Sequence, residues 1–230
     1  MRFLALGAFL LCSLVPGAAR AQTPFGGDDT GFIPPDADNF KYEAKIGKNL
    51  AKFQKCVIKC HASRAKGKFA DDVTEDGCEG ICQQKYDLAN SKLIAPAPTS
   101  ACLNTMAVRN LWESTLDSFN SQIYCAGTTP FGGDDTGFIP PDTLTFKCES
   151  KVGSHVAKLL ACEGKCHEKR AKESLADDTA EDGCEADCKT KYNAANAKLT
   201  GCPPCLNASN LGDTMLAQGD NNNGQVYCAQ

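Results

Sequence analysis

Cys56-Val57-Ile58-Lys59-Cys60, followed by Cys78-Glu79-Gly80-Ile81-Cys82, decides how this chain folds. Two cysteines four residues apart on a helix present their sulfurs to one side. Their spacing does not suit a bond to each other. Two such helices packed antiparallel are joined at both levels, which predicts Cys56–Cys82 and Cys60–Cys78. The same four cysteines return 106 residues later as Cys162, Cys166, Cys184 and Cys188, which predicts Cys162–Cys188 and Cys166–Cys184. By the loop-entropy model each bridge contributes about 2–4 kcal/mol.

The hydrophobic pattern around these cysteines agrees with a helical hairpin. Asp36, Asp38 or Asn39 caps a first helix that runs to about Lys66, with Ile46, Leu50, Phe53, Val57 and Cys60 on one buried face. Asp72 or Thr74 caps a second helix ending near Leu93, whose expected inner face is Cys78, Ile81, Cys82, Tyr86, Ala89 and Leu93. Asp71, Asp72, Glu75, Asp76 and Glu79 crowd the start of that helix, where its dipole favours acids. A third helix opens at Cys102 and is expected to bury Met106, Leu111 and Leu116.

An unbroken helix from Cys102 to Cys125 would hold their sulfurs about 35 Å apart. In the second copy Gly219 to Gly224 breaks the helix, so the chain can double back. This predicts Cys205–Cys228 and, by analogy, Cys102–Cys125. Cys148 and Cys202 stand where the first copy has Tyr42 and Pro96, and their joint appearance predicts one added bridge.

The 14-residue segment Thr23–Asp36 returns letter for letter as Thr129–Asp142. It has no cysteine and little helix propensity. The preferred reading is a strap in which Phe25, Phe32 and Ile33 dock on the helices and glycines take positive φ. The functional reading presents Asp28 and Asp29, with Asp134 and Asp135 in the second copy, to calcium or a partner.

Met1–Ala21 reads as a secretory signal, with Arg2, an apolar run from Phe3 to Val15, and Ala19-Arg20-Ala21 as the cleavage site. The run is too short to span a bilayer. Of fifteen cysteines Cys12 falls inside it, which leaves an even number in each copy. So many bridges persist only in an oxidising compartment, so a secreted or periplasmic location is expected. The organisation is therefore a signal at 1–21, a first module at 22–128 and a second at 129–230. The fold class is mainly α, as two tandem disulfide-stapled modules. Each is an antiparallel helical hairpin plus a third helix, led by an extended Gly/Asp/Pro-rich arm.

The formal net charge is −4, and neither copy has the basic excess of a nucleic-acid binder. Lys41, Lys45, Lys48, Lys52, Lys55 and Lys59 form a stripe that reads as a solvated face. The chain carries no nucleophile elbow, metalloprotease helix or nucleotide-binding glycine loop, so no catalytic residue is assigned. Cys56-Val-Ile-Lys-Cys60-His61 and Cys162-Glu-Gly-Lys-Cys166-His167 resemble a haem-attachment motif lengthened by one residue. That would make the protein a c-type electron carrier. The disulfide reading, with His61 and His167 as surface residues beside bridges, accounts for more cysteines. Zinc is disfavoured because the thiols are oxidised. Asp72-x-Thr74-x-Asp76-Gly77 starts like an EF-hand, but Gln83 stands where the loop needs a bidentate Glu. No metal ligand or cofactor is assigned, with calcium and haem c as the alternatives.

The C-x-x-x-C…C-x-x-x-C hairpin resembles the alpha-hairpinin scaffold of small plant defence peptides, which include protease inhibitors and antimicrobial peptides. The resemblance implies an inhibitory turn carrying Lys66, Lys68 and Phe69, opposite Lys172 and Glu173 in the second copy. The whole chain also resembles secreted bacterial cysteine-rich tandem-repeat proteins bearing the GGDDTGF-IPPD arm. The function expected from all this is a non-enzymatic secreted protein that binds an extracellular or periplasmic ligand or protein, or serves extracellular structure.

Overall fold

The computed structural model describes residues 23–96 and 99–228. The expected secretory signal, Met1–Ala21, lies outside the described residues. Two strands, β1 (Pro24–Gly26) and β2 (Asp29–Phe32), form a small antiparallel hairpin. They are followed by helices α1 (Ala37–Ala65), α2 (Asp72–Asn90), the short α3 (Thr99–Cys102) and α4 (Thr105–Ile123). The second copy repeats the order with β3 (Thr129–Gly132), β4 (Asp135–Ile139), α5 (Thr143–Ala171), α6 (Asp178–Asn196) and α7 (Ala208–Asn223).

Every long helix starts on a side-chain cap. Asp36 accepts from the backbone N–H groups of Asp38 and Asn39, and Asp142 does the same for Leu144 and Thr145. Asp71, one residue earlier than the sequence suggests, caps α2, and Asp177 caps α6. Asn104 and Asn207 cap α4 and α7. Each such cap contributes about 1 kcal/mol.

The apolar face of α1 packs as its spacing predicts, with Ile46, Leu50, Phe53, Val57 and Cys60 all buried. α2 crosses it antiparallel, held by Cys56–Cys82, Cys60–Cys78 and an Asn49–Asn90 hydrogen bond of 2.8 Å. α5 and α6 are joined by Cys162–Cys188 and Cys166–Cys184, and Cys148 bonds Cys202. α1 and α5 pack on each other at the centre of the molecule. Lys48 reaches Glu168 at 2.7 Å while Gly153 lies against Ile58, so the two helices run antiparallel. α4 rests on α1 and α7 on α5, and one continuous core joins both copies.

Three expectations are corrected. On α2, Ile81 is 51% exposed and Glu75 and Glu79 are buried instead. On α4, Met106 is 59% exposed and Leu111 only half-buried, because the inward stripe is Val108, Trp112 and Leu116. The third correction concerns the bridges. Cys102 bonds Cys228 and Cys125 bonds Cys205, so neither Cys102–Cys125 nor Cys205–Cys228 exists. Cys125 follows directly on α4, which runs helical to Ile123 and carries it away from Cys102. The partner at that distance comes from the other copy. Buried carboxylates brace these crossings. Glu43 accepts from the Cys228 N–H at 3.0 Å, and Glu149 from Cys125 and Ala126 at 3.1 and 3.0 Å.

The arms cross over as well. β2 packs on α7, where Thr30 donates to the carbonyl oxygens of Asp220 and Asn221 and accepts from the Gly224 N–H. β4 packs on α4, where Thr136 treats Asp117, Ser118 and Ser121 in the same way. Phe25 and Phe131 are buried, and Arg170 and Arg64 donate to their carbonyl oxygens. Each arm therefore closes over the helices of the other copy: β1–β2 over the second, with α7, and β3–β4 over the first, with α4.

Candidate metal centres

Where an arm meets a hairpin, one histidine and four carboxylates converge. In the first centre α1 supplies His61, α2 supplies Glu75 and Glu79 one turn apart, α4 supplies Asp117 and β4 supplies Asp135. In the second, α5 supplies His167, α6 Glu181 and Glu185, α7 Asp220 and β2 Asp29. The ten residues correspond one to one through the sequence repeat.

His61 Nε2 lies 2.9 Å from Glu79, 3.2 Å from Asp135, 3.3 Å from Asp117 and 4.0 Å from Glu75. His167 Nε2 lies 2.9 Å from Glu185, 3.3 Å from Asp220 and 3.5 Å from Asp29. An ion with ligands at about 2.1 Å spaces neighbouring ligand atoms about 3.0 Å apart and opposite ones about 4.2 Å. The observed separations match the edges of such a shell. One imidazole nitrogen carries at most one proton, so it cannot donate to all of these oxygens at once. Glu75 is fully buried and neither of its oxygens meets a hydrogen-bond donor; Glu181 is equally buried without one, with the Arg170 guanidinium 4.0 Å from its Oε2.

The electrostatics point the same way. Burial pushes Glu75 and Glu181 up to about 9, aided by the neighbouring Asp135 and Asp29. Burial pushes Glu79 and Glu185 up to about 7 against the pull of the histidines. It also raises Asp29, Asp117 and Asp135. Burial alone would lower His61 and His167, yet hydrogen bonds to Asp117 and Glu79, and to Asp220 and Glu185, hold both well above the ordinary range. Acids crowded in a dry space must either stay protonated or take up a cation. A divalent cation would relieve both the desolvation and the repulsion.

The sequence-predicted residues divide sharply. Of the arm acids, Asp29 and Asp135 enter the centres, while Asp28 and Asp134 stay exposed at the hairpin tips. Asp28 lies instead beside Asp178 and Asp182. His61 and His167 are 1% and 5% exposed, so they are core residues facing buried carboxylates and not surface ones. Glu75 and Glu79, read as helix-start acids, face His61, and only Asp71 caps. Cys56, Cys60, Cys162 and Cys166 are all bonded to other cysteines, which leaves no thiol for haem attachment. Cys102 and Cys228 approach Glu43 but are bonded to each other, so that group holds no thiolate. The lysine stripe of α1 is solvent-exposed along its length. Among the described residues no helix is long and apolar enough to cross a membrane. No family model, curated protein or solved structure gives a significant match to this chain.

Proposed function

We propose that the protein is an extracellular, non-enzymatic binder of divalent first-row metal ions, with a closed centre at each arm–hairpin junction. The observation that carries this reading is the convergence, twice, of four buried carboxylates from three separate elements on a single imidazole nitrogen from a fourth. One nitrogen with four carboxylate donors suits Mn²⁺, Fe²⁺ or Zn²⁺ better than Ca²⁺, whose ligands are oxygens. The described cysteines are consumed in seven disulfides, so soft thiolate ligands are absent from the centres. Those bridges also support residence in an oxidising compartment, in keeping with the signal-like start of the chain. Binding is favoured over catalysis because the ligands face one another and not a cleft.

The test strips the protein with chelator and reloads it with Mn²⁺, Zn²⁺ or Ca²⁺, followed by metal analysis and thermal melting. Mn²⁺ or Zn²⁺ should remain bound through desalting and raise the melting temperature. A ligand at 100 times its Kd adds about 2.7 kcal/mol. The His61→Ala/His167→Ala protein should lose both effects. Absence of bound metal and of any melting shift in the unmodified protein would overturn the reading.

A further inference from the structure

The two centres differ at one wall. In the first, the residue one turn before His61 on α1 is Val57, and the residue before Asp117 on α4 is Leu116, both buried. In the second, the corresponding pair is Glu163 and Gly219. The two changes are sterically coupled. A Cβ at Gly219 would overlap the Glu163 carboxylate, so the glycine is what admits the glutamate. Glu163 is 1% exposed and its Oε1 meets no donor. An apolar contact in one copy is replaced in the other by a buried carboxylate with one unpaired oxygen beside His167, Glu185 and Asp220.

Glu163 creates a second ligand set. Asp29, His167, Glu181 and Glu185 offer donor atoms all within 4.8 Å of one another, and so do Glu163, His167, Glu185 and Asp220. The two sets overlap at Glu185, whose two oxygens can serve two ions, and at His167, whose Nε2 serves one. At the first centre Val57 and Leu116 supply no donor on that side.

We propose that the second centre is dinuclear: one cation held by His167, Asp29, Glu181 and Glu185, and another by Glu163 and Asp220, with Glu185 bridging. This rests on the metal-binding reading above and assigns three ions to the chain.

The test counts Mn²⁺ ions on the full chain by native mass spectrometry and records its electron paramagnetic resonance. Three ions are expected, two of them giving the exchange-coupled spectrum of ions about 3.5–4 Å apart. Glu163→Gln keeps the side-chain volume and should bind two ions with the coupled signal gone. If that variant folds poorly, Glu163→Val with Gly219→Leu installs the first copy's own packing and should give the same count. Two uncoupled ions on the unmodified chain would overturn the dinuclear centre and leave the metal-binding reading intact. Three ions retained by Glu163→Gln would also overturn it. No bound Mn²⁺ at all would remove both.

Discussion

Asp29 Oδ1 lies 3.5 Å from His167 Nε2 although 138 residues separate them along the chain. The first arm thus supplies a carboxylate to the second candidate centre, and the second arm, through Asp135, to the first. Asp29→Asn should weaken Mn²⁺ binding at the second centre alone by at least about tenfold, and Asp135→Asn at the first alone. Titration calorimetry on the two variants checks this. Equal loss at both centres would contradict the assignment of arms to hairpins.

Metal-free protein should lose stability as the solution becomes alkaline. Glu79 and Glu185 titrate at about 7 and Glu75 and Glu181 at about 9, whereas unfolded glutamate titrates near pH 4.3. A group whose folded value is raised stabilises fully below its unfolded value, and that contribution is lost as pH rises through the folded value. The raised histidines carry the same sign. In chelator, the melting temperature should therefore fall between about pH 5 and 9. With excess Mn²⁺ the gain over metal-free protein should widen across that window, because the ion displaces protons. A chelated protein that became more stable toward pH 9 would speak against the buried carboxylate clusters.

The crossed bridges give a plain electrophoretic outcome. A single cut in the 126–128 connector leaves two fragments held by Cys102–Cys228 and Cys125–Cys205. They should migrate as one species until reductant is added. Separation without reductant would mean that each copy closes its own bridges.

Gly219→Leu alone should force Glu163 out of its place at a cost of about 1–3 kcal/mol, as overpacked cores do. Adding Glu163→Val should recover much of that loss, since Val57 and Leu116 already coexist in the first copy. A denaturant-unfolding double-mutant cycle measures the coupling. Strict additivity would deny the steric link between the two positions.

The long helices and nested bridges were legible because their signals are local. Ile46 to Cys60 repeats at helical spacing, and cysteines four apart leave few ways to pair. The candidate centres are harder to see in the sequence, although a clue is present. Glu75, Glu79, Cys82 and Tyr86 lie at helical spacing on α2, which puts both acids on the stripe that faces α1. Their position near the helix start made a dipole explanation sufficient, and Ile81 took the inward place they occupy. Val108 and Trp112 likewise displaced Met106 and Leu111 on α4. The partners of Cys102 and Cys125 were beyond reach for a different reason. Within a repeat, spacing is the same whether a cysteine pairs inside its copy or across to the other.

Reciprocal crossing has a genealogical consequence. Under the repeat, Cys102 corresponds to Cys205 and Cys125 to Cys228, so both crossed bridges are the same bond viewed from opposite ends of a two-fold axis. The swapped hairpins and the antiparallel α1–α5 seam obey that axis too. The molecule is laid out like a homodimer with exchanged arms whose two halves share one polypeptide. Carrying both halves on one chain makes their encounter intramolecular and independent of concentration. It also lets the halves differ, and Glu163 with Gly219 is a difference that two identical subunits could not show.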